Sequence, residues 1–115
     1  MTFDREDAKK FLHAQEQKQK EKAEEERKKV LNQVISSIKN EFQNTSVEVY
    51  LVGSIVRPFS FSPHSDVDIV LKNYHGDRFA IWAKLEKKIS RDVEIILFEN
   101  CSFQEFVLKD GFKVI

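Results

Sequence analysis

Asp66 and Asp68 are the residues most suited to chemistry, within Ser65-Asp-Val-Asp-Ile-Val-Leu-Lys72. A strand alternates its side chains, so both carboxylates point to one face while Val67, Ile69 and Leu71 point to the other. Two carboxylates on one edge of a strand repel each other and gain little from packing. A divalent cation between them resolves that repulsion, and Mg²⁺ favours a few hard carboxylate oxygens together with substrate phosphates. Upstream, the apolar run Val49-Tyr-Leu-Val ends in Gly53-Ser54, which offers backbone amides and a hydroxyl to such phosphates. Two-metal phosphoryl chemistry clamps the attacking and leaving oxygens and calls for a third carboxylate. Glu94 is the candidate, flanked by Val93 and Ile95 in Asp92-Val-Glu-Ile-Ile-Leu97, a segment that echoes the Asp66 strand; Asp92 has the same parity and is the reserve.

The elements that must position these residues can be read from periodicity. Asp4 to Lys29 is almost entirely Glu, Lys, Arg, Gln and Ala, and Asp4 with Asp7 predicts a helix start. Opposite charges at helical spacing, such as Glu25 and Lys29, add small increments. Residues 1–29 are therefore expected to form a solvated, charged helical extension, or an arm presenting Phe3, Phe11 and Leu12 to a partner or to a second copy of the chain. Val30, Leu31, Val34, Ile35, Ile38 and Phe42 repeat at three- and four-residue intervals, which predicts a helix with one apolar face. Ser46 to Val52 reads as a strand, and the loop from Ile55 to Ser65 holds both prolines. A second strand spans Asp66 to Leu71 or Lys72. Asp77 is the expected N-cap of a helix reaching Ile89, with Phe79, Trp82, Leu85 and Ile89 as its buried stripe and Trp82 as a core anchor. A third strand over Asp92–Phe98, a short helix over Phe103–Lys109 and an edge strand over Phe112–Ile115 complete an α/β (α+β) layout, helices packed on one small mixed sheet. Residues 30–115 are the expected catalytic domain.

Composition narrows the choices. The 115 residues carry a formal net charge of zero, so no global field attracts nucleic acid and any basic face must be local. The single cysteine, Cys101, has no disulfide partner within the chain and is expected to be a small buried hydrophobe. His13, His64 and His75 lack a metal-ligand spacing. The N-terminus has no apolar signal segment, and no apolar run approaches the ~20 residues of a spanning helix. The expectation is a cytoplasmic protein with no membrane contact.

Gly53-Ser54 followed by a spacer and then Asp66-x-Asp68 on a strand resembles the nucleotidyltransferase superfamily with the polymerase-beta-like palm fold, and most of all its minimal nucleotidyltransferases. Many of those are antitoxins paired with HEPN-type toxins. The resemblance covers Val47 to the C-terminus. It implies Mg²⁺ held by Asp66, Asp68 and Glu94, ATP or another nucleoside triphosphate as substrate, and Gly53, Ser54, Arg57 and Ser65 as its nucleotide-binding residues. The family more often has Asp at the position of Glu94 and Gly at that of Pro58, and its spacer is commonly one residue shorter. It also implies transfer of a nucleotide, AMP, to a hydroxyl of a protein partner, such as a tyrosine of a HEPN-type toxin. The short stretch after the core leaves no room for an acceptor-binding domain, which points the same way. Two alternatives stay open. One is a catalytically weak binding module that neutralises a partner by contact, consistent with Pro58 and Glu94. The other is an RNA or tRNA terminal nucleotidyltransferase subunit, because Pro63-His-Ser-Asp-Val-Asp68 is similar to motifs of poly(A)-adding enzymes. Neutral charge weighs against nucleic acid as the partner.

Overall fold

The structure, a computed structural model, describes residues 5–115; the expected cap at Asp4 and the arm residue Phe3 lie outside the described residues. The first helix, α1 (Arg5–Phe42), runs unbroken through the change of pattern at residue 30. At 1.5 Å per residue it is about 57 Å long, which accounts for most of the 66 Å length of the molecule. Its side chains are exposed through Lys22, as a charged extension should be. Burial begins at Glu24 and Arg27, ahead of Val30, Val34, Ile38 and Phe42, so the packed stripe starts earlier than the apolar residues do.

The sheet has the order β3-β2-β1-β4. Strand β1 (Glu48–Val52) pairs antiparallel with β2 (Val67–Lys72), and β2 pairs parallel with β3 (Val93–Leu97). Beyond β1 lies the short edge strand β4 (Phe112–Lys113), antiparallel, in the region where an edge strand is expected. Odd-numbered strand residues, Val49, Leu51, Val67, Ile69, Leu71, Val93 and Ile95, are buried against α1 and helix α2 (Arg78–Ile89). Even-numbered residues form the opposite face, where Tyr50, Val52, Val70 and Phe98 pack on Val107 of helix α3 (Gln104–Asp110). A fully buried Leu or Ile contributes about 1.5–3 kcal/mol, so the covered face supplies most of the cohesion.

Asp77 caps α2 as expected, its carboxylate accepting from the amides of Phe79 (2.8 Å) and Ala80 (3.2 Å). Lys84 and Lys88 of α2 bridge to Glu41 of α1. Two expectations are corrected. The buried stripe of α2 is Ile81, Leu85 and Ile89, at four-residue spacing, while Phe79 is exposed and Trp82 is 41% exposed. Trp82 is not a core anchor, because its side of the helix turns toward the outer edge of β3, where its indole N–H donates to the Val93 carbonyl (2.8 Å). Cys101 is half-buried rather than buried, with Sγ accepting from the Phe103 amide at 3.4 Å. Among the described residues no helix is long and apolar enough to cross a membrane.

Candidate active site

The register of the sheet assembles the site. Asp68 lies beside Glu94 across the parallel β2–β3 pair and beside Val52 across the antiparallel β1–β2 pair. The last residue of β1 is thus opposite Asp68, and Gly53 follows it directly. Gly53 adopts φ 85°, in the region where only glycine is at ease. A Cβ built there would come within 2.5 Å of Asp68 Oδ2. Glycine is required at this position twice over, by backbone conformation and by the carboxylate against it.

Asp68 is half-buried, whereas Asp66 and Glu94 are exposed. Burial raises the Asp68 pKa to about 6; the charge of Glu94, a hydrogen bond with its carboxyl, and the charge of Asp66 push in the same direction. Desolvation leads, and the crowding of negative charge adds to it. Asp92, the reserve third carboxylate, has the same parity but sits before β3, where its carbonyl accepts from the Val67 amide (2.9 Å). Glu94 is the carboxylate paired with Asp68.

Among the described residues no three Asp, Glu, His or Cys side chains converge into a ready-made metal cluster. The donor set nevertheless suits a divalent cation. Its members are hard carboxylate oxygens, their repulsion is relieved by positive charge, and Mg²⁺ routinely completes its shell with water and substrate phosphates. Asp68 and Glu94 would hold such an ion, with Asp66 beside them.

A cleft of about 610 Å³ opens over these carboxylates, lined by Gly53, Arg57, Asp68, Arg78, Glu94 and Phe106 among others. That volume suits a nucleotide-sized ligand. Gly53-Ser54 opens a single 3₁₀ turn, closed by Val56 N–H to Gly53 O (3.3 Å) and Arg57 N–H to Ser54 O (3.1 Å). Arg57 is exposed at the mouth of the cleft. Ser65 stands apart from that cleft. Its hydroxyl accepts from the Ser62 amide (3.0 Å), a local turn contact of the kind its sequence position suggests.

Four residues that line the cleft or fasten its loop escaped the sequence reading. Arg78 enters the cleft from the first turn of α2 while its guanidinium donates to the Ile95 carbonyl (2.6 Å). Arg27 donates to the Ile55 carbonyl (2.9 Å) and is paired with Glu24 (2.6 and 2.9 Å), and Glu24 in turn accepts from the Phe59 amide (2.8 Å). The Arg27 hydrogen bond, followed by the Phe59 amide, holds the Glu24 carboxyl down at about 2. Arg91 donates to the carbonyls of Ser62 and Ser65 (both 3.2 Å) and lies over the Phe61 ring. The segment between Ser54 and Asp66 is therefore fastened at one end by α1 and at the other by Arg91. Phe59 within it has φ 62°, a left-handed conformation rare for a bulky residue. It follows Pro58, and Glu24 secures its amide.

A family model for the mitochondrial-like poly(A) RNA polymerase central palm domain matches residues 7–108. The chain belongs to this family. It is a palm domain of nucleotidyltransferase type, which bears out the superfamily and the fold expected from Gly53-Ser54 and Asp66-x-Asp68. The match also takes in most of α1, which the sequence resemblance left out. No curated protein and no solved structure matches the chain.

Proposed function

We propose that this palm domain transfers a nucleotidyl group from a nucleoside triphosphate to a 3′-hydroxyl of RNA, with Mg²⁺. The observation that carries the reading is the pairing of Asp68 with Glu94 across two parallel strands, directly against Gly53. Membership of a poly(A) RNA polymerase palm family favours RNA over the protein hydroxyl first expected, and it gives no support to a HEPN-type toxin as partner.

The chemistry follows from the side chains. Gly53, Ser54 and Arg57 bind and orient the triphosphate at the mouth of the cleft. Asp66, Asp68 and Glu94 would hold Mg²⁺, which would supply positive charge to the phosphates and to the acceptor hydroxyl. The acceptor oxygen forms a bond to the α-phosphorus, the bond from that phosphorus to the β-phosphate oxygen breaks, and pyrophosphate leaves. Glu94 is exposed and placed to receive the hydroxyl proton. Arg78 offers charge to the phosphates from the opposite side of the cleft.

The test is label transfer. The protein is incubated with Mg²⁺, each α-labelled nucleoside triphosphate in turn, and either a single-stranded RNA or a protein mixture. Label on RNA that disappears in Asp68→Ala supports the reading. Label on a protein with none on RNA returns the acceptor to a protein hydroxyl. Absence of label from every nucleotide leaves the catalytically silent binding module as the better description.

A further inference from the structure

A second hollow, about 580 Å³, lies on the outer side of the carboxylates and is lined by Asp66, Arg78, Phe79, Trp82, Glu94 and Ile95. It shares Glu94 and Arg78 with the nucleotide cleft but is otherwise built from α2 and the free edge of β3. Phe79 and Trp82, three residues apart on α2, stand on one side of that helix. Phe79 is 79% exposed and Trp82 41% exposed. Neither value suits an aromatic residue whose role is packing, and Ile81, Leu85 and Ile89 already fill the core side of α2.

The polar ends of this wall are all satisfied internally. The Trp82 indole N–H is fixed on the Val93 carbonyl, Arg78 is fixed on the Ile95 carbonyl, and the Val93 amide donates to Glu86 (3.2 Å). These contacts block the edge of β3, so an extended peptide cannot readily add there as a further strand. They also lock the indole in one orientation, with ring surface left in solvent. What remains is a rigid aromatic platform beside a carboxylate site. Flat apolar rings of this kind accept nucleobases without regard to sequence, because every base has a π-face.

We propose that Phe79 and Trp82 form the stacking platform for the 3′-terminal base of a single-stranded RNA acceptor, which places its terminal hydroxyl at Glu94. The inference rests on the nucleotidyl-transfer reading and adds the acceptor's place and form. The platform is next to Glu94 and Asp66, the carboxylates on its side of the site, whereas Gly53 and Arg57 line the nucleotide cleft and not this hollow. Triphosphate and acceptor thus approach from opposite sides of Glu94. A duplex end offers no free base to stack, so single strands are the matching class.

Trp82 is the sole tryptophan of the chain, so its fluorescence reports on the platform alone. The full chain is titrated with a single-stranded RNA of about ten nucleotides, a length within the usual range of single-strand sites. The expected result is saturable quenching, weaker with the corresponding duplex. Phe79→Ala, which removes an exposed ring, should weaken binding about five- to 150-fold, the range that loss of one stacked base produces. Trp82→Phe should keep folding and retain part of the RNA affinity, measured by anisotropy of a labelled RNA. The proposal is overturned if free ATP quenches Trp82 equally and displaces the RNA, because the platform would then belong to the incoming nucleotide. It is also overturned if RNA is extended while Trp82 fluorescence and the Phe79→Ala affinity stay unchanged, a result that spares the transfer reading. A tyrosine peptide that quenches where RNA does not assigns the platform to a protein and overturns it as well. Quenching by RNA with no label transferred from any nucleotide upholds the platform and sinks the transfer reading.

Discussion

One sheet carries two faces of opposite character, built by alternate residues of the same three strands. Val67, Ile69 and Leu71 are fully buried under α1 and α2; Asp66, Asp68 and Val70 look the other way, where Val70 is covered by α3 while Asp68 and Glu94 open on the cleft. On the covered face a side chain is worth what it removes from water. On the open face Asp68 is worth what it can hold, and its raised pKa shows that the fold itself gains nothing from its charge. The pleat keeps a core residue and a reactive one adjacent in sequence yet on opposite sides of the sheet. Substitutions on the two faces should therefore separate stability from chemistry.

The largest effect is expected on the open face. Asp68→Ala should reduce nucleotidyl transfer at least ~100-fold, measured by label transfer, with the thermal midpoint unchanged or higher. A midpoint that falls with the activity would erase the distinction between the faces. Gly53→Ala comes next and strikes both properties. The left-handed φ and the collision with Asp68 Oδ2 should cost about 1–2 kcal/mol in stability together with most of the activity. Retention of full activity would mean that Gly53 does not set the Asp68 position.

The covered face should show the converse. Ile69→Ala, one residue from Asp68 and fully buried, should cost about 2–5 kcal/mol of stability, read by urea unfolding, while activity per folded molecule stays near wild type. A large loss of turnover in the folded variant would show that the faces are mechanically coupled.

The two faces also explain what sequence could reveal. Alternation over Val49–Val52, Asp66–Lys72 and Val93–Leu97 makes the strands and the carboxylates of the open face legible, and the Gly53-Ser54 and Asp-x-Asp wording adds the superfamily. Trp82 was misassigned because periodicity alone does not say which of two possible stripes on α2 meets the sheet: Phe79, Trp82 and Leu85 repeat at three, Ile81, Leu85 and Ile89 at four. Glu24 and Arg27 were missed for a different reason. They occupy the positions where the apolar stripe of α1 would continue, but hydropathy assigns charged residues to solvent. Their burial depends on one another and on Ile55 and Phe59, which are distant in sequence. Arg78 and Arg91 likewise act through backbone carbonyls that have no sequence signature.

That buried pair offers an intermediate test, since it joins the covered side to the loop that closes the open one. Removing one partner leaves the other charge without its counter-ion beneath the loop, so Arg27→Met should lower the thermal midpoint. The Michaelis constant for the nucleoside triphosphate should rise more than turnover falls, because Arg27 fixes the Ile55–Phe59 backbone and touches no reacting atom. Phe59→Gly should recover about 1 kcal/mol by relieving the left-handed φ. If Arg27→Met changes stability alone, the loop does not depend on α1 for its position.

The smallest effect is also the most specific, and it concerns pH. The Asp68 pKa is raised in the folded protein to about 6 from 3.8. Between those two values the folded state binds more protons than the unfolded one, so the charge on Asp68 lowers stability fully above pH 6 and progressively less toward pH 4. Glu24 has the opposite sign. Its pKa falls from 4.5 to about 2, so its contribution is present above pH 4.5 and is lost on acidification toward pH 2. Asp68→Asn keeps the shape, can still donate to Glu94 and removes the charge. It should stabilise the protein at pH 7.5 by on the order of 1 kcal/mol after allowing for solvent around a half-buried carboxyl, and the gain should shrink at pH 5. Mg²⁺ should narrow the difference at pH 7.5, because only the aspartate form offers a full negative charge to the ion. A gain that persists unchanged from pH 7.5 to pH 5 would trace to packing instead, and the open face would then be no more strained by charge than the covered one.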